Sequence, residues 1–194
     1  PACCLWGAID YDGRVYIYRE YYQRGLNVDK LAEEINRLSQ GEQYEYSVAD
    51  PSIFAKHGYI DSFGGQTIAE TFARYGIMFF PASNRRVDGW NLMHQYLYWN
   101  NEILPKLIFF NTCYNSIRTI PNLIHDELKP EDVETDSEDH CGDSCRYLLI
   151  SLHERQSAKP LTELERKLKM NREEDLNLNK FYYEIHPEIS FLPL

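Results

Sequence analysis

The chain has 194 residues, 43% of them hydrophobic, enough to bury the core of one domain with or without a tail. Its net charge of −10 argues against a protein that coats nucleic acid by charge alone, but not against an enzyme whose bound cations supply the positive charge. Five cysteines at irregular spacings argue against a disulfide scaffold; with no secretory leader, and no apolar run of the ~18 residues a membrane helix needs, a soluble cytoplasmic protein is expected.

In chain order, the apolar run 2–9, the turn Asp10-Tyr11-Asp12-Gly13 and the run 14–22 predict a β-hairpin, because Asp and Gly accept the backbone angles of a tight turn. Val28, Leu31, Ala32, Ile35 and Leu38 follow helical spacing, with Asn27 as the cap and Gly41 just past the end. Residues 44–49 read as a strand running into Asp50-Pro51-Ser52, and residues 53–65 as a loop. Helix is expected over 67–75, closed by Gly76, then a short strand over 77–80, helix over 90–97 and strand over 107–110. Thr112 is placed to cap a helix through Ile120, where Pro121 kinks or restarts the chain. The acidic stretch 127–139 reads as a solvated loop. Cys141, Cys145, Leu148 and Leu152 make one apolar stripe of a helix over 140–152. These elements predict an α/β domain over residues 1–153, a mixed sheet flanked by helices, followed by a tail over 154–194 that is partly helical or irregular.

Two constellations carry chemistry. Asp50 ends a strand that Pro51 stops, at a carboxyl end of the sheet's strands, where functional groups gather. His140 and Asp143, three residues apart, share one helix face while the cysteine stripe faces the core. As a bland alternative, Asp50 makes an Asx turn and Asp143 caps a helix beside a surface histidine. Taken together they suit phosphodiester cleavage, which needs a water nucleophile aimed and a leaving oxygen neutralised; hard cations held by carboxylates from separate elements do both. A third acid is wanted. Asp10 and Asp12 read as turn formers and Glu20 as a strand residue. Arg85, Arg86 and Arg146 are candidates for DNA phosphates. Cys141, Cys145 and His140 lack a fourth zinc ligand and read as core cysteines with a histidine beside them.

Trp6 to Tyr22, Ala49-Asp50-Pro51-Ser52 and Asp139 to Tyr147 resemble, in order and spacing, the nuclease domain of phage terminase large subunits. The likeness runs over about residues 1–152. It implies an RNase H-like fold and a Mg²⁺- or Mn²⁺-dependent endonuclease that cuts concatemeric double-stranded DNA. On it, Asp50 matches the second catalytic acid, Asp143 the last, and His140 a histidine beside that last acid in part of the family. The first catalytic Asp of the family falls just ahead of the position of Pro1, so the resemblance implies weak or no activity for this chain alone. The family's ATPase motor domain is also absent: no Gly-x-x-x-x-Gly-Lys-Ser/Thr phosphate loop occurs. Portal or procapsid and the terminase small subunit are the implied partners, the carboxyl-terminal tail being the part associated with portal and procapsid. The competing expectation is an RNase H-like module that has lost its chemistry and serves portal docking or DNA binding.

Overall fold

The computed structural model describes residues 1–56, 67–134 and 137–158. Its contacts divide the chain into Pro1–Glu154 and Arg155–Leu194, and the second unit is described only through residue 158, as helix. Most of the expected loop after Phe54, with Ser62 and the Gly64-Gly65 pair, and the helical and irregular stretches of the tail lie outside the described residues.

Strand β1 (Ala2–Ile9) pairs antiparallel with β2 (Val15–Gln23), with a register shift between Trp6 and Gly7. Helix α1 (Val28–Leu38) follows, its first turn satisfied by Asn27, whose side chain accepts from the Lys30 N–H. Strand β3 (Val48–Ala49) is far shorter than the sequence implies. Its partner sets the limit: β4 (Phe80–Pro81) offers two residues in parallel register, with the N–H groups of Phe80 and Ala82 donating to the Ser47 and Ala49 carbonyls. A single 3-10 turn, Pro51–Phe54, leaves β3. Between β3 and β4 lies α2 (Ile68–Arg74), opened by a capping box in which Thr67 and Glu70 exchange side-chain and backbone hydrogen bonds. Then come α3 (Arg86–Leu97), β5 (Leu107–Phe109), α4 (Tyr114–Thr119) and α5 (His140–Ala158). Strand β5 pairs parallel with β2, so one sheet has the order β1-β2-β5 and a second holds β3 and β4.

The hairpin sheet is covered on both faces. Val15 and Ile17 of β2 pack with Trp90 and Met93 of α3, Leu107 of β5, and Cys145, Leu149 and Leu152 of α5. Trp6 of β1 packs with Ala32 and Ile35 of α1 and Phe72 of α2. The domain is therefore mixed α/β, with a small mixed sheet flanked by helices. No described helix is long and apolar enough to cross a membrane.

Thr112 does not cap α4. Cys113 occupies that place without a side-chain bond, and the work passes to Glu20 of β2. Its two carboxylate oxygens accept from the backbone N–H groups of Asn115 and Ser116 and from both their side chains, at 2.6 to 2.8 Å. Asp10 and Asp12 are likewise occupied locally. Asp10 accepts from the N–H groups of Asp12 and Arg14 and from the Tyr16 hydroxyl, and Asp12 pairs with Arg14.

Candidate functional site

Helices α3 and α5 approach closely enough that a side chain at either of two glycines would collide. A Cβ at Gly142 would stand 2.9 Å from the Trp90 ring, and one at Gly89 would stand 2.9 Å from Ile150 and 3.1 Å from Arg146. This crossing sets the charged end of α3 against the first turns of α5. Arg86 then donates to three carboxylates: Asp132 at 2.6 Å, Asp139 at 3.0 Å and Asp143 at 3.3 Å. Trp90 adds its indole N–H to Asp132 at 3.0 Å. The acidic stretch ahead of α5 is thus partly a clasp over Arg86 rather than a solvated loop, and those three acids push the guanidinium pKa up against the opposing effect of burial.

Asp143 is held from within its own helix as well. Arg146 Nε donates to it at 2.7 Å, the three-residue spacing bringing the two onto one face. Arg146 is 1% exposed. Its guanidinium lies over the Tyr147 ring at 4.2 Å and donates from Nη2 to the Tyr147 hydroxyl at 3.1 Å. That hydroxyl donates onward to Asp50 Oδ2 at 2.6 Å. A continuous chain, Asp143–Arg146–Tyr147–Asp50, therefore joins the helix acid to the strand-end acid. Among the described residues, Arg146 Nη1 is the one buried side-chain nitrogen or oxygen without a hydrogen-bond partner.

The two acids differ in their proton affinity. Burial raises the Asp50 pKa, but the hydrogen bonds from Ser52 and Tyr147 and the nearby Arg146 charge outweigh it and bring it below the ordinary value. At Asp143 burial is the larger effect and outweighs Arg146 and Arg86, so its pKa is raised, with Asp139 adding repulsion. The Tyr147 hydroxyl is pushed up to about 12 by burial and by Asp50.

Asp50, His140, Asp143 and Tyr147 all line one cavity of about 1260 Å³. The whole of β1 and both residues of β3 line it too. Each of these strands has a ladder partner on one side, β2 and β4 respectively. The cavity therefore lies between the two sheets at their free edges. His140 sits at its rim, half exposed, with Nδ1 3.9 Å from Asp139 and its ring tilted against Tyr22 at 6.3 Å.

So the structure brings Asp50, Asp143 and His140 to one cavity. It does not bring Glu20, Asp10 or Asp12 there; none of them lines it. The expectation that Arg86 and Arg146 meet DNA phosphates does not fit their surroundings, since Arg146 is buried and Arg86 is occupied by three acids. Arg85 is the exposed one, paired at the surface with Asp88 and Glu154. Sequence reasoning missed Tyr147 and Asp139; both lie in the stretch that carried the resemblance, and Tyr147 falls four residues after Asp143, one helical turn on. Among the described residues no group of three or more His, Cys, Asp or Glu is arranged to hold a metal ion. Comparison with family models, with curated proteins and with solved structures finds no match to this chain.

Proposed function

We propose that this is an RNase H-like nuclease domain of a viral DNA-packaging terminase, cutting double-stranded DNA with Mg²⁺ or Mn²⁺ held in part by Asp50 and Asp143. One observation carries the reading. A strand-end acid and a helix acid from distant parts of the chain line one cavity and are joined through Tyr147 and Arg146. The donors are hard carboxylate oxygens, which suit Mg²⁺, an ion that keeps several waters and takes one or two protein carboxylates. Bound there, such ions supply a water nucleophile and neutralise the leaving oxygen. Tyr147 and Arg146 orient the two acids, as outer partners of metal ligands do. His140 is placed at the cavity rim to move a proton.

On this reading the third acid arrives on a strand preceding β1 in the whole protein. The cavity supports that placement, because it lies along the free edge of β1 where such a strand would pair. The motor domain, portal or procapsid and terminase small subunit are the partners that go with the reading. The test is cleavage of plasmid DNA by the protein extended upstream to include that strand. Cutting is expected with Mg²⁺ or Mn²⁺, none with a chelator, and none in Asp50→Asn or Asp143→Asn. Undiminished cutting by either folded variant sinks the assignment.

A second reading, a module that docks portal or DNA without chemistry, has its own supporting observation: both acids already accept from protein donors, Asp50 from Ser52 and Tyr147 and Asp143 from two guanidinium groups. An extended protein that binds no Mn²⁺ and cuts nothing, yet still binds portal or DNA, selects it.

A further inference from the structure

We propose that Cys3 and Cys141 form a dithiol pair that closes to a disulfide under a two-electron thiol oxidant and reopens under a thiol reductant, stapling β1 to the first turn of α5. The two residues are 138 positions apart in sequence, yet their sulfurs are 3.5 Å apart. Both are free thiols. A disulfide needs about 2.05 Å between sulfurs, so closure asks for roughly 1.5 Å of approach, within reach of small side-chain rotations. The two elements are already tied at this point, because the Ser144 side-chain Oγ donates to the Cys3 carbonyl at 3.2 Å.

Access and selectivity follow from the fold. Cys3 is half-buried and lines the cavity, where a small reagent can reach it, while Cys141 is buried behind it. Cys4 also lines the cavity, but its side chain is on the opposite face of β1, against the Trp6 and Ala32 cluster, so it is not the thiol that meets Cys141. Cys113 and Cys145 are buried in the other cluster, and Cys113 donates to the Ile17 carbonyl. With a diazene dicarboxamide as oxidant, Cys3 sulfur adds to one nitrogen of the N=N bond. Cys141 sulfur then attacks Cys3 sulfur; the S–S bond forms, the S–N bond breaks, and the hydrazine leaves with both thiol protons and both electrons. The cross-link pins the turn that carries His140 and Asp143, and it does so whether or not that turn belongs to a nuclease.

The test treats the folded chain with the diazene oxidant, then blocks and counts thiols and maps peptides. Expected are the loss of two of the five thiols, a Cys3–Cys141 linked peptide, and reversal by dithiothreitol. The closed form should melt on the order of 10 °C higher, since the cross-link restricts a long loop of the unfolded chain. Cys3→Ser and Cys141→Ser should each abolish the loss and the shift, and Cys4→Ser should abolish neither. Retention of all five thiols, a link between separate chains, or a linked peptide from a different pair overturns the proposal. The wild-type peptide map decides the matter even if a serine variant folds poorly.

Discussion

Glu20 and Asp143 are both half-buried carboxylates at the start of a helix, and they are satisfied in opposite ways. Glu20 reaches across from β2 to α4 and takes four neutral donors, two backbone and two side-chain. Asp143, in the first turn of α5, is held by two cations, Arg146 and Arg86, at a cavity. Neutral N–H and O–H donors that close around an acid leave it nothing further to do; they finish a helix end and join two elements. Guanidinium partners can be exchanged: a metal ion reaches such an acid by displacing one of them. The contrast between a joining acid and an acid that can be recruited predicts different failures when each is changed.

The largest effect is expected at Asp143. Asp143→Asn should reduce metal-dependent cutting by the upstream-extended protein to background. It should also lower stability by about 3 kcal/mol, because Arg146 stays buried with its charge uncompensated; cleavage assays beside a urea titration separate the two. Tyr147→Phe comes next. It breaks the link between Asp50 and Arg146 while keeping the ring under the guanidinium, and should cost roughly 10–100-fold in Mn²⁺ affinity, read by calorimetry. Unchanged affinity would make the link merely structural.

Glu20→Ala should do the reverse. Unfolding free energy should fall by about 2–3 kcal/mol as four donors lose their acceptor, with Mn²⁺ affinity unchanged. A loss of metal binding there would erase the distinction between the two acids. The smallest effect is set by Glu42, whose pKa is held down at about 2 by hydrogen bonds from Arg19, Tyr44 and Tyr18. Its folded value lies below the ordinary 4.5, so its contribution is present above that value and is lost as pH falls from there toward about 2. Melting temperature should drop modestly over that window, and less steeply in Arg19→Ala, whose pair is near the surface.

Much of the architecture was legible because it rests on local signals. The Asp-Gly turn, the Asn27 cap and the helical stripe ending in Leu152 each specify an element within a few residues. Strand β3 was overestimated because strand length depends on the partner, and β4 offers two residues in register. The α4 cap was misassigned to Thr112 because the true acceptor, Glu20, is 95 residues away from Asn115. The same limit hid the site's connections. Asp50 and Asp143 stand out in sequence as an acid at a strand end and an acid on a helix face. That Tyr147 bridges toward Asp50, that Arg86 and Arg146 are consumed by acids, and that Cys3 meets Cys141 are all products of the α3–α5 crossing and the packing of β1.

The most direct test of the proposed site is a crystal of the chain soaked in Mn²⁺ and measured at the manganese absorption edge. An anomalous peak contacting the carboxylates of both Asp50 and Asp143, with Arg86 or Arg146 drawn away from Asp143, is the predicted result. An Asp143 still held by both arginines, with no peak in the cavity while manganese binds elsewhere on the molecule, would contradict it.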